Sequence, residues 1–316
     1  MKILLGTHAL RGYPPRTGGI PSAAVRRRLL QWSKREGFAG LEVGDWWFNF
    51  YQHPEEMVRL ATELGDHGLE LAGFNCLRKC VTHPAVAEQN QRDLRQAIAL
   101  AGRIHAKFVN VSLSLAPSVS GCTEDQIKGL QVSPGGGRSA GDAEFAAAAA
   151  FLRELAEAGC ALGVRVAIEL HHCSLVDTSQ RVLRVLELAN HPNLSVNPDL
   201  VNLYWAYAVP EEPWYEALDR LAGRVVCWHV KNVQRVYVPE AQRARYVPAS
   251  LEAGDIDYRW ALGRLLEAGF DGYLSIEGAG PGDLLTCAAK GKAYLDSLLR
   301  DAASDGGLRV VDSVAG

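Results

Sequence analysis

The chain has 316 residues, 48% of them hydrophobic and 22% charged, and a net charge of −3. That length buries a large core without disulfides and holds either two average domains or one large α/β barrel. The slightly negative balance argues against a nucleic-acid partner, and no apolar run approaches the ~20 residues that a bilayer span needs.

The opening run Met1-Lys2-Ile3-Leu4-Leu5-Gly6 is too short in its apolar part for a signal peptide and leads straight into a strand, so a cytoplasmic protein is expected. The seven cysteines are odd in number and irregularly spaced, which fits reduced thiols. Cys76 and Cys80 form the only close pair, and without a second pair they make a poor zinc signature.

Short apolar runs alternate with longer amphipathic segments. Residues 3–6 read as a strand and 22–35 as a helix introduced by Pro21 and Ser22. A strand at 40–43 precedes a helix over 54–67 that stops on Gly68, the residue type expected just past a helix end. A strand over 69–75 leads to a helix over 84–103 with Leu94, Ile98 and Ala101 on one face. The fourth unit joins a strand at 108–111 to an Ala-rich helix over 142–158, capped by Asp142 and closed by Gly159. Four more strands fall at 164–169, 194–197, 225–230 and 273–277, with helices at 178–189, 214–221, 258–268 and 283–299.

Strands alternating with helices imply parallel pairing and right-handed crossovers. Eight such units predict a single-domain (β/α)8 TIM barrel over residues 1–300. The alternative, a doubly wound sheet, lacks a glycine-rich turn after its first strand, and Gly135-Gly136-Gly137 follows no strand. Two segments break the rhythm, 113–141 and 232–257, and are expected as long loops on the C-terminal face, where barrel enzymes hold their chemistry. Residues 301–316 read as a frayed tail.

Four consecutive strands end on metal-ligand residue types. Val164 to Ile168 leads to Glu169, Leu194-Ser195-Val196 to Asp199, Val225 to Trp228 leads to His229, and Tyr273 to Ile276 leads to Glu277. In a barrel these ends converge on one mouth, so Glu169, Asp199, His229 and Glu277 are expected to hold one divalent cation. Carboxylates suit Mn²⁺ or Mg²⁺, and one imidazole shifts the preference toward Mn²⁺, Co²⁺ or Zn²⁺, with Mn²⁺ the first choice.

These strand ends, Glu169-Leu170-His171, Val196-Asn197-Pro198-Asp199, His229-Val230-Lys231-Asn232 and Leu274-Ser275-Ile276-Glu277, resemble those of the xylose isomerase-like sugar phosphate isomerase/epimerase superfamily. So does Gly254-Asp255-Ile256-Asp257-Tyr258 with the run to Tyr273. The resemblance implies a TIM barrel whose metal ligands are these four residues, with Glu169 and Glu277 on either side of the substrate carbon.

Departures from the ketohexose epimerase branch are visible. Asn202 stands where that branch usually has a His, Leu175 where it has a second Glu, and Asn232 where an Asp is common, while Arg235 matches an Arg of that branch. The implied chemistry is proton abstraction beside a metal-bound carbonyl through an enediolate, with Glu277 as base and Glu169 as acid. An isomerase or epimerase of a sugar or ketosugar is expected; a lyase or dehydratase on a ketosugar, keto-glycoside or cyclitol uses the same enolate. His171, Lys231, Arg235, Asn202 and His8 are candidates for binding a small sugar or polyol. Trp46, Trp47, Phe48, Tyr204 and Trp205 are aromatic candidates for the mouth, Glu42 and Asn75 further pocket candidates, and a homo-oligomer is open.

Overall fold

A computed structural model describes residues 1–10, 20–115, 136–204, 210–241, 243–278 and 280–304. Most of the expected loop at 113–141, Trp205 and the tail beyond 304 lie outside these residues.

Eight parallel strands form the barrel. They are β1 (Lys2–Gly6), β2 (Gly40–Gly44), β3 (Glu70–Lys79), β4 (Phe108–Leu113), β5 (Arg165–Glu169), β6 (Leu194–Asn197), β7 (Cys227–Val238) and β9 (Tyr273–Gly278). An antiparallel strand, β8 (Arg243–Ala249), lies outside the ring. The spatial order is β6-β5-β4-β3-β2-β1-β9-β7-β8. The ring closes between β6 and β7 through one parallel bridge, Val196 to Val225, with the Val226 amide donating to the Val196 carbonyl at 3.2 Å. The helices are α1 (Ala23–Arg35), α2 (Pro54–Asp66), α3 (Ala87–Arg103), α4 (Asp142–Ala161), α5 (Ser179–Ala189), α6 (Trp214–Leu221), α7 (Tyr258–Glu267) and α8 (Leu284–Ser304). None of these helices is long and apolar enough to cross a membrane.

Period-2 alternation explains both faces of most strands, and β3 breaks it where its register with β2 shifts. Outward residues such as Ile3, Leu5, Leu41, Phe74, Val109, Ile168, Val196, Trp228 and Leu274 join the main core beneath the helices. Inward residues at the lower level, Leu4, Ala72, Phe108, Ala167 and Cys227, form a separate apolar plug. Further along the strands the inward positions turn polar: Glu42, Asn75, Asn110, Glu169, Asn197, His229 and Glu277 are all buried. The plug thus floors a polar chamber at the C-terminal end of the barrel.

Several boundaries differ from the sequence reading. Gly159 does not close its helix; α4 continues to Ala161. A Cβ at Gly159 would lie 2.6 Å from the Val164 carbonyl oxygen, so this glycine permits close helix–strand approach, and Gly163 (φ +70°) makes the turn. Helix α3 begins at Ala87 instead of 84, because the His83 ring accepts the Ala85 amide at 3.2 Å and holds a turn there. Residues 301–304 of the expected tail continue α8. The segment 232–257 holds the outer part of β7, which pairs with β8 from Asn232–Ala249 to Val238–Arg243. Its β-branched and aromatic residues favour the hairpin. Buried Asn232 ties the hairpin base to the barrel: its amide donates to the Leu251 and Ile256 carbonyls at 2.7 and 2.9 Å, and its oxygen accepts the Ile256 amide at 3.1 Å.

Candidate metal centre

The polar chamber is held by side chains that link neighbouring strands and, from Asn197 to Asn110, skip over one. The Asn110 amide donates to Glu169 Oε2 at 2.8 Å and to Asn75 Oδ1 at 3.1 Å. Asn197 donates to Asn110 Oδ1 at 3.1 Å and accepts the His229 backbone amide at 2.9 Å. Asn202, on the 3-10 turn Leu200–Leu203, donates to Glu169 Oε1 at 3.3 Å and to the Leu170 carbonyl at 2.9 Å. Every one of these donors is a neutral amide, so they fix the carboxylate without adding charge.

His229 Nε2 lies 2.9 Å from Glu42 Oε1. In that contact Nε2 donates to the carboxyl oxygen, leaving Nδ1 facing the chamber. Nδ1 stands 3.7 Å from Glu169 Oε1 and 3.5 Å from Glu277 Oε1. Lys231 Nζ bridges Asp199 Oδ2 and Glu277 Oε2, the latter at 2.6 Å. His8 Nδ1 lies 3.5 Å from Glu277 Oε1.

Burial and charge oppose one another here. Burial pushes His229 down, but Glu42, Glu277 and Glu169 together hold it well above the usual imidazole range. Burial pushes Glu277 up, yet His8, Lys231 and His229 hold it well below the usual carboxylate range. Glu169 is likewise resisted by burial and lowered to about 2, chiefly by the His229 charge. Asp199 goes the other way: burial, only partly opposed by Lys231, raises it to about 7.

A divalent cation fits the donor set. Glu169, Asp199 and His229 each offer a ligand atom, all within 4.8 Å of one another. Two buried atoms of that set, His229 Nδ1 and Asp199 Oδ1, make no hydrogen bond. Buried polar atoms left in that way are costly unless something pairs with them. A glutamate behind the imidazole is the usual support for a ligating His. Glu277, the fourth expected ligand, is not one of these three: its Oε1 lies 3.5 Å from His229 Nδ1, and its other oxygen is taken by Lys231.

A cavity of about 560 Å³ opens above this layer, lined among others by His8, Trp46, Arg78, Glu169, His171, His172, Asn202, Lys231 and Glu277. The structure therefore brings together seven sequence candidates: Glu169, Glu277, His8, His171, Lys231 and Asn202 on the cavity wall, with Trp46 beside His8 (ring centroids 5.2 Å apart). His171 donates from Nδ1 to the His172 carbonyl at 2.9 Å, the only role a ring nitrogen can take there, which leaves Nε2 as an acceptor. The two imidazoles stack with centroids 4.4 Å apart. Asp199 and His229 lie beneath, fully buried.

Arg235 is not brought to the cavity. It sits on the β7–β8 hairpin with its guanidinium 5.8 Å from the Tyr237 ring centroid, and its backbone amide donates to Asp255. Trp47 and Phe48 pack into the core. Asn75 and Glu42 join the polar layer, Glu42 as the partner of His229. Sequence reasoning missed Asn110 and Asn197 as organisers and Arg78 as a wall residue. The inward period shared with Glu42 and Glu169 is the signal that exposes both asparagines.

A protein-family model described as xylose isomerase-like TIM barrel matches residues 30–298. No curated protein matches the sequence. Among solved structures, a xylose isomerase-like TIM barrel protein from Mycobacterium smegmatis in complex with magnesium superposes with a TM-score of 0.77 at 22% identity, covering 95% of this chain and 97% of that one. An L-ribulose 3-epimerase gives 0.71 at 18% identity over 100% of this chain and 99% of its own. The probable 3-DHS dehydratase AsbF from Bacillus anthracis gives 0.67 at 19% identity over 93% and 99%. The chain belongs to the xylose isomerase-like TIM barrel family.

Proposed function

We propose that the protein is a metal-dependent isomerase or epimerase of a sugar or ketosugar that moves a proton beside a carbonyl group. The observation that carries this reading is the pair Glu169 and Glu277, whose carboxylates approach the same His229 Nδ1 from two strands at 3.7 and 3.5 Å within one cavity. A divalent cation, Mn²⁺ by preference, held by Glu169, Asp199, His229 and Glu277, would polarise the carbonyl and stabilise the negative charge left when the proton departs.

The chain's own residues supply the rest. Glu277, kept ionised by the cations around it, takes the proton from the substrate carbon. Glu169 stands across His229 and, once loaded with a proton from solvent, delivers it from the other side, which inverts the centre while Glu277 releases its own proton to solvent; return of the Glu277 proton to the adjacent carbon gives isomerisation. Asn110 and Asn202 fix the Glu169 carboxylate for that task. Lys231 stabilises developing charge on a substrate oxygen, and His171 Nε2 accepts a hydrogen bond from a substrate hydroxyl. Sugars bound to fold neighbours, D-allulose in one and D-tagatose in another, are consistent with a small polyol in a cavity of this size.

A lyase acting through the same enolate is the second reading, supported by the fold shared with the probable dehydratase. Incubation with a panel of ketoses and hydroxylated keto acids in D₂O, followed by mass spectrometry, separates them. An epimerase or isomerase product gains one deuterium and otherwise keeps its mass, whereas a lyase product loses water or an aglycone. Absence of both changes across the panel, with metal bound, sinks the proton-transfer reading.

A further inference from the structure

Arg78 differs from every other charged residue around the cavity. The carboxylates and the second cation there have partners: Glu42 has His229, and Asp199 and Glu277 share Lys231. The Arg78 side chain makes no hydrogen bond or ion pair among the described residues, and its Nε is buried without a partner. Leaving a guanidinium nitrogen buried and unpaired costs free energy unless a ligand completes it.

The backbone is distorted at this position. Arg78 has φ +54°, a left-handed conformation uncommon for a residue with a Cβ. The β3–β4 register shifts between Cys76 and Lys79, so the strand is irregular across Leu77 and Arg78. Irregularities of this kind re-aim side chains next to active sites. The Arg78 amide is caught by Ser112 Oγ at 2.6 Å, and buried Lys79, 3.2 Å from Asp45 and 3.3 Å from Asp93, pins the next residue. The surrounding structure therefore over-determines a strained residue whose side chain joins the cavity wall beside His171 and His172.

We infer that Arg78 binds a carboxylate of the substrate, so that the physiological substrate is a sugar acid or a keto acid bearing hydroxyls instead of a neutral ketose. This rests on the reaction proposed above and narrows its substrate class. The planar guanidinium fork matches a carboxylate with two parallel hydrogen bonds. The charge count favours carboxylate over phosphate: among the described residues of the wall Arg78 alone is an unpaired cation, and Lys231 is already shared by two carboxylates, so these residues offer one positive charge for one negative group. The carboxylate would sit away from the reacting carbon, fixing its orientation toward Glu169 and Glu277.

Calorimetry with metal-loaded protein tests the assignment using D-gluconate and D-glucitol, which share a six-carbon skeleton and differ in the acid group. Gluconate is expected to bind more tightly, and Arg78→Met to reduce the gluconate-to-glucitol affinity ratio by about 10- to 100-fold, the worth of a charge-assisted pair. Comparing variant with wild type cancels any direct gain of the carboxylate at the cation. Glucitol affinity and the melting temperature report whether Arg78→Met is folded, and Arg78→Lys, which keeps charge but loses the fork, is expected to fall between the two. An unchanged ratio in a folded Arg78→Met variant overturns the assignment. A larger Arg78-dependent gain for D-glucitol 6-phosphate overturns the carboxylate in favour of a phosphate. Failure of the reaction reading looks different: gluconate preference would still depend on Arg78, while no substrate exchanges a proton with solvent.

Discussion

Glu277→Gln is expected to lower the rate of substrate-proton exchange with solvent by about 10²- to 10⁴-fold, the usual worth of a positioned general base. Gln is nearly isosteric and retains an oxygen that can accept from Lys231, so the chamber should stay folded. What disappears is a carboxylate held ionised by His8, Lys231 and His229. The measurement is deuterium wash-in from D₂O into substrate, read by NMR, with bound metal quantified on the same samples. The loss should fall on kcat more than on KM, because the proton is in flight only in the transition state. Wash-in at the wild-type rate with metal still bound would remove Glu277 from the role of base. The matching Glu169→Gln variant should retain exchange at one face while losing turnover, if the two carboxylates serve opposite faces.

Chelation is the second large effect. Protein treated with a chelator should be inactive, and Mn²⁺ should restore activity best among Mn²⁺, Mg²⁺, Co²⁺ and Zn²⁺. The same experiment has a readout independent of turnover. A cation that binds the folded chain at a hundred times its Kd stabilises it by about 2.7 kcal/mol. For a chain of this size that raises the melting temperature by roughly 5 °C. Asp199→Asn should abolish most of the shift, since it removes a fully buried carboxylate whose Oδ1 makes no hydrogen bond. A melting temperature indifferent to metal, together with activity that survives the chelator, would show that Lys231 and not a metal ion supplies the positive charge of the site.

The barrel was legible in the sequence because its signal is repeated: each apolar run followed by an amphipathic helix reports the same unit. The four strand-end residues were legible for a related reason. An inward position at the end of a buried strand is normally apolar, and Glu169, His229 and Glu277 break that pattern at the same level, with Asp199 two residues past the end of β6. What stayed hidden depends on proximity across the ring. Glu42 and His229 lie 187 residues apart and meet only because β2 and β7 face each other across the chamber. Lys231 reaching both Asp199 and Glu277 has the same origin. Arg78 was hidden because a strand irregularity decides where it points, and regular alternation carries no trace of it. Arg235 differs: its spacing from His229 suggested a pocket residue, while the strand runs on into a hairpin where it pairs with Tyr246, and it is not among the residues lining the cavity. Gly159 illustrates how one residue type serves two ends, stopping helices in some places and admitting a neighbouring strand in others.

The single bridge between β6 and β7 makes that joint the weakest seam of the ring, since the β1–β2 and β5–β6 ladders register three and four residue pairs. Asp199 follows the strand on one side of the seam and His229 rides on the strand at the other. A cation shared by those two residues is therefore also a clasp, doing for barrel closure what the missing ladder does not. Emptying the site should loosen the seam first. The Val226 amide, which spans it to Val196, is expected to exchange with solvent faster in chelator-treated protein while the β1–β2 amides keep their protection.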